Sequence, residues 1–306
     1  MSRFSVEQLR TFACVMEYGT FEAAADILQV SPSAVSQRIK AMEQAAGRIL
    51  VKRTNPVAPT ETGQLVLRVA RQQAYLSQEL EDQLGFGGAE RTIAIAVNAD
   101  SLATWFLDAV AVLAKEDRIF CDLRRAGEQY SSALLRTGQA MAAITANPEP
   151  IVGCRVQKLG VENYWVVCSR DYAHYYFQDW PGRITLEELN AAPVIEYDRQ
   201  DVGQDLARSL ILKKFFLDDH KAGAAPSIYV PSSPDYARAV ELGVGWGIVP
   251  QQQCQEGLNK ARLVKLADEP VQIPLYWQRW RIASEVLDRV TSRVYEALDN
   301  SRQKQS

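Results

Sequence analysis

The sequence predicts an α/β multidomain protein: a small all-α head, one long helix, and a larger C-terminal α/β portion. Three observations carry this. Two short helices joined by a tight turn can be read between Thr20 and Ala46. A seam of mostly apolar residues at three-or-four spacing runs through Glu61–Leu84. From Arg91 onward, short β-rich runs alternate with helices, the texture of an α/β unit. At 306 residues and 47% hydrophobic content, the chain has material for two or three folded units.

In the head, Val6, Leu9, Ala13 and Met16 lay out a first helix, and Ala23, Ala24 and Ala25 keep the second thin enough for close approach. Gln29-Val30 break the pattern, Ser31 is a good N-cap, and Pro32 suits the first helical position, where no amide proton is needed. Val35, Ile39, Met42 and Ala46 then define one buried face. The opposite face carries Ser33, Ser36, Gln37 and Lys40, with Arg38 on the flank. A small, donor-rich face near a helix N-terminus is what major-groove reading requires. Arg38, Lys40, Arg48, Lys52 and Arg53 stand against Glu43 alone, and Ile49–Gly63 is a Pro-punctuated excursion able to form a wing over phosphates.

These strings, AAADILQVSPSAVSQRIKAMEQAAG and APTETG above all, closely resemble the N-terminal domain of LysR-type transcriptional regulators. The resemblance implies that Ser31–Lys40 enters the major groove of double-stranded DNA and that Arg53 contacts phosphate. Val51 departs from the family, which usually has Phe there; packing under the wing is expected to change. Further strings, AIAVNADSLATWF, VGWGIVP and PLYWQRW, are similar to the LysG/ArgP branch, whose members sense basic amino acids and control their export. One departure is Ala126-Gly127, where those relatives tend to place paired acids.

The division expected from pattern and resemblance together has residues 1–60 as a winged helix-turn-helix domain, with the motif at about 21–40. Residues 61–90 form a linker and dimerisation helix capped by Thr60, with a seam of Val66, Val69, Gln73, Leu76, Leu80 and Leu84. Residues 91–306 form an effector domain of two periplasmic-binding-protein-like lobes, lobe I at about 91–161 and 266–306 and lobe II at about 162–265. Strands are expected at Thr92–Val97, Ile119–Arg125, Ala142–Thr145, Arg155–Leu159, Tyr164–Ser169, Pro193–Tyr197, Ser227–Val230, Gly243–Pro250 and Leu275–Trp280, in mostly parallel sheets. Helices are expected at Leu102–Lys115, Ser131–Arg136, about Asp205–Phe216, Pro234–Leu242 and Ser284–Asn300. The family also implies a homodimer or homotetramer, with RNA polymerase as a further partner.

In open α/β sheets ligands bind at the carboxyl ends of strands. Strand ends here offer Asn98, Asp100, Ser101 and Thr104 after the first strand, Glu128 after the second, Tyr197 and Asp198 in the second lobe, and Ser232-Ser233 before a helix. Ser101 and Ser233 are read as N-caps whose helix amides receive an effector carboxylate; Asp100, Glu128 or Asp198 receive its side-chain cation. Trp105, Tyr197 and Trp246 are candidates for stacking on a cationic side chain, with core packing the expected job of at least two.

Other classes find little support. No GxSxG, P-loop, dinucleotide fingerprint or HExxH is present, and His174 and His220 are the only histidines, so neither catalysis, a metal nor a cofactor is expected. Cys14, Cys121, Cys154, Cys168 and Cys254 are scattered in mostly apolar runs, as buried free thiols of a reducing cytosol would be. A solute-binding transport protein shares the two-lobe architecture. The helix-turn-helix and the N-terminus, which does not read as a signal peptide, argue against it. No membrane partner is expected, and a cytoplasmic location is.

Overall fold

The computed structural model describes residues 3–86, 91–182, 184–197 and 225–303. The expected helix at about Asp205–Phe216, together with Asp198 and His220, lies outside the described residues.

The head is three helices and a hairpin: α1 (Val6–Tyr18), α2 (Phe21–Leu28), α3 (Pro32–Ala46), then β1 (Val51–Lys52) antiparallel to β2 (Ala58–Pro59). Ser5 and Gln8 form a reciprocal capping box on α1; Thr20 caps α2 and Ser31 caps α3. Gln29 takes the left-handed conformation at φ 54°, which turns the chain from α2 into α3. Val35, Ile39 and Met42 are buried as the spacing predicts. For α1 the spacing misplaces the face. Phe12 and Val15 are completely buried while Val6 is exposed, because α1 is clasped between α2, α3 and the long helix and presents a broader inner surface.

The long helix α4 (Glu61–Gln83) begins at Thr60, whose hydroxyl accepts from Gly63 N and donates to Ile49 O. A methyl group at Gly63 would stand 2.1 Å from the Leu50 carbonyl oxygen, so only glycine lets α4 start against the wing. One face of α4 docks on the α/β part of the same chain. Arg68 donates to Val152 O, Arg71 to Thr137 O at 2.7 Å, Tyr75 packs edge-on against Trp280, and Glu79 accepts from Val286 N at 3.3 Å. Leu65, Val69, Leu76, Leu80 and Leu84 remain exposed on the other side. Val66 departs from the expected seam: it is buried in the head.

The α/β part continues with β3 (Arg91–Val97); a helical run α5 over 99–117, with wider π turns at Leu102–Phe106 and Leu113–Asp117; β4 (Ile119–Arg125); α6 (Glu128–Thr137); and β5 (Ala142–Thr145). Then come β6 (Cys154–Ser169), α7 (Arg170–Tyr176), α8 (Leu186–Ala191), β7 (Val194–Glu196), β8 (Ser227–Tyr229), α9 (Ser233–Glu241), β9 (Gly247–Pro250), α10 (Gln251–Asn259), β10 (Leu263–Lys265), β11 (Val271–Trp280) and α11 (Glu285–Gln303). The main sheet runs β10-β6-β11-β5-β3-β4, with β9 also on β6.

That sheet is mixed, contrary to the mostly parallel expectation. β3 is parallel to β4 and β5, while β6 and β11 are antiparallel to each other and to all their other partners. The reason is that β6 and β11 are the two segments that pass between lobes, one out and one back. Expected as two strands, Arg155–Leu159 and Tyr164–Ser169 are one strand, with Gly160 at φ 150° in its middle. Leu159 and Leu275 pack in the core of the first lobe, whereas Tyr164, Val166 and Val271 pack in a core of the second. The return crossing therefore falls between Val271 and Leu275, later than the expected 265/266.

Candidate effector cleft and DNA-reading face

On α3, Ser31, Pro32, Ser33, Ser36, Gln37 and Lys40 are all exposed on one side, and Arg53 is exposed beyond β1. The Ser31 and Ser33 hydroxyls share a hydrogen bond at 2.8 Å. Arg38 is committed elsewhere: it donates to Glu7 at 2.5 Å and to Thr11 at 3.2 Å, pinning α3 to α1. Glu43 turns inward, accepting from Leu50 N at 2.9 Å and Val51 N at 3.2 Å, so the one acid of the basic stretch holds the base of the wing.

The second cluster lies where β3 ends and the lobes meet. Asn98, not Ser101, caps α5: its side-chain oxygen accepts from Ser101 N at 3.1 Å. Ser101 is wholly buried in the first turn, its hydroxyl without a partner among the described residues. Thr104 donates back to the Asp100 carbonyl at 2.7 Å. Asp100 itself reaches the second lobe, accepting from Ser233 Oγ at 2.6 Å and Tyr164 OH at 2.8 Å. Ser233 is the first residue of α9 and not its cap; that position belongs to Ser232, whose side chain makes no capping bond. Gln253 Nε2 donates to Ser233 Oγ at 3.0 Å and completes a chain Gln253–Ser233–Asp100–Tyr164 across the lobes.

Two residues join this cluster that sequence reasoning missed. Glu162, on β6 at the crossing, is 8% exposed and neither carboxylate oxygen has a hydrogen-bond partner among the described residues. Burial pushes its carboxyl up to about 8; nearby Asp100 adds to the rise and Arg302 opposes it. Arg125, the last residue of β4, donates from Nη1 to Tyr197 OH and to Pro231 O, both at 2.8 Å. Alternation was the available signal for Glu162, since it shares a face with buried Tyr164, Val166 and Cys168. The sequence reading lost it by breaking the strand at LGVEN.

The aromatic candidates resolve toward packing. Trp105 and Trp246 are fully buried in the two lobes, and Tyr197 is buried as the acceptor of Arg125. Glu128 opens α6 after Gly127.

Residues 6–64 match the bacterial regulatory helix-turn-helix proteins of the lysR family, and residues 86–298 match the LysR substrate binding domain. The chain belongs to the LysR family of transcriptional regulators. The lysine export transcriptional regulatory protein LysG of Corynebacterium efficiens is 38% identical to it, over 94% of this chain and 96% of that protein. Among solved structures, full-length LysG from Corynebacterium glutamicum with bound effector Arg superposes with a TM-score of 0.85 at 33% identity, covering 97% of this chain and 99% of that one. ArgP from Mycobacterium tuberculosis superposes with a TM-score of 0.84 at 36% identity, covering 95% and 96%.

The regulator's departures from its relatives take on structural meaning. Val51 is buried beneath the wing in the head's core. Ala126 is buried in the core of the first lobe, its amide donating to Val97 O. At this cleft Asp100 lies near enough to the buried Glu162 to raise its carboxyl. No helix among the described residues is long and apolar enough to cross a membrane.

Proposed function

We propose that this regulator senses a basic amino acid, lysine, arginine or histidine, bound between its two lobes, and controls basic amino-acid export or metabolism. Glu162 carries the reading: a buried carboxyl with no hydrogen-bond partner among the described residues, beside a second acid, is a subsite awaiting a cation. LysG with bound Arg, similar over nearly the whole chain, supports it. In this reading Asp100 and Glu162 replace the acid pair absent at Ala126-Gly127. Asn98, Ser101, Thr104, Ser232 and Ser233 shape the crevice and hold Asp100. The chain divides into the head, a linker helix and an effector domain. It works as a homodimer or homotetramer in the cytoplasm, acts by binding and not by catalysis, and takes operator DNA and RNA polymerase as its macromolecular partners.

Calorimetry with lysine, arginine and norleucine tests the effector. Glu162→Gln is expected to weaken lysine and arginine by about 10- to 100-fold, the range of one charge-assisted hydrogen bond, while norleucine binds weakly to both proteins. Norleucine binding as well as lysine in the wild type sinks the cation reading.

For DNA, Ser33, Ser36, Gln37 and Lys40 read the major groove, Ser31 and Pro32 start the helix there, and Arg53 neutralises phosphate. Arg38 is dropped from this set because α1 holds it. Gln37→Ala should cost about 1–3 kcal/mol on the cognate operator and little on random duplex. Arg53→Ala should weaken binding on every sequence and reduce the salt slope by about one. Fluorescence-anisotropy titrations over a range of salt concentrations separate the two roles. A salt slope changed by Gln37→Ala and untouched by Arg53→Ala reverses the assignment.

A further inference from the structure

We infer that Arg125 is the residue that recognises the effector's α-carboxylate, and so makes the cleft selective for amino acids over the corresponding amines; the inference rests on the basic amino-acid reading above. Arg125 pairs with Val97 on the parallel neighbour strand, one residue before Asn98. Adjacent strands are about 4.8 Å apart, so Arg125 leaves the sheet beside the turn that delivers Asp100. Both side chains then reach the same short segment of the second lobe: Arg125 donates to Pro231 O, and Asp100 accepts from Ser233 Oγ. A cation and an anion are thereby held at neighbouring points of one crevice, an arrangement complementary to the carboxylate and ammonium of an α-amino acid. Glu162 is left for the side-chain cation.

The hydrogen bonds of Arg125 indicate which edge of the guanidinium is available. Its two partners among the described residues, a phenol oxygen and a peptide carbonyl, are neutral, and both engage Nη1. A guanidinium carries five N–H donors in a fixed fork. With the two Nη1 protons taken, Nε–H and the adjacent Nη2–H form a side-on pair with no partner among the described residues, the edge that binds a carboxylate through two parallel bonds. Helix N-termini were the expected carboxylate site. The Ser101 amide is already taken by Asn98 Oδ1 at 3.1 Å, and the Ser233 hydroxyl is engaged by Asp100 and Gln253, so neither residue offers the site it was read to provide.

The test compares each amino acid with its decarboxylated form on the full-length protein by calorimetry: arginine against agmatine, and lysine against cadaverine. Wild type should prefer arginine over agmatine by about 10- to 100-fold. Arg125→Gln should cost arginine that factor and agmatine less than about two-fold, so the preference collapses. Arg125→Lys, which keeps the charge and loses the fork, should retain part of it. Thermal melts of each variant confirm folding, and the wild-type comparison needs no variant at all. Equal binding of arginine and agmatine by wild type, or equal losses of both in Arg125→Gln, overturns the inference and leaves Arg125 as an interlobe strap. If wild type binds no basic amino acid, the effector reading fails by itself. The same pairwise comparison is then made on whichever of the twenty amino acids raises the melting temperature, and absence of any such ligand overturns both.

Discussion

Placing aspartates at Val69 and Leu76 together will convert the protein to monomers and abolish operator binding. The two residues are 48% and 37% exposed and lie on the same side of α4 as Leu65, Leu80 and Leu84. The opposite side of the helix is already used in cis, through Arg68, Arg71, Tyr75 and Glu79 against the first lobe. The apolar stripe is therefore surplus to the fold of one chain, and we propose that a second α4 covers it with two-fold symmetry. Carboxylates buried in that seam without partners cost several kcal/mol each, enough to raise the dimer dissociation constant by about 1000-fold or more. Sedimentation velocity reads the association, and gel mobility on an operator reads DNA binding. Calorimetry with arginine should be unchanged, because neither residue touches the cleft. A double mutant that sediments as the wild type would assign the stripe to some other contact.

Legibility in the sequence followed how local the physics was. Caps, the left-handed turn at Gln29 and the buried face of α3 depend on residues three or four apart, and Ser31, Pro32, Val35, Ile39 and Met42 stand where spacing places them. The α1 face was less legible because three elements pack on it, so Phe12 and Val15 count for more than Val6. Arg38 could not be separated from Lys40 by spacing alone; its partner Glu7 is thirty-one positions away.

The cleft was legible only at its strand ends. Asp100 was found because it follows β3, but its ties to Tyr164 and Ser233 span sixty-four and 133 positions and leave no local trace. Asn98 and Ser101 are both acceptable caps by residue type, and the helix simply begins earlier than its apolar pattern does. The crossing strand was the largest loss. A glycine and two polar residues read as a turn, whereas Gly160 sits within the strand at φ 150°, a backbone conformation that side chains rarely adopt. Restoring the strand restores Glu162 to the buried face.

Glu162 sets the last prediction, which concerns pH. Its carboxyl is raised from 4.5 to about 8, through burial first and Asp100 second, with Arg302 pulling the other way. Between those two values the folded protein holds a proton that the unfolded chain has released. Stability must therefore fall as pH rises through this window, with a slope approaching about 1.4 kcal/mol per pH unit from this group. Glu162→Gln keeps the shape and cannot ionise, so the variant should melt higher than wild type at pH 8 and nearly with it at pH 5. Effector binding runs in the opposite sense. A guanidinium placed on Glu162 favours the carboxylate, so arginine binding at pH 7 should expel close to one proton and tighten as pH rises toward 8. Calorimetry in buffers of different ionisation enthalpy counts that proton, and Glu162→Gln should abolish both the release and the pH dependence. Parallel stability curves for the two proteins from pH 5 to 8, with no proton released on arginine binding, would mean that Glu162 is ionised already and that the cation is held elsewhere in the cleft.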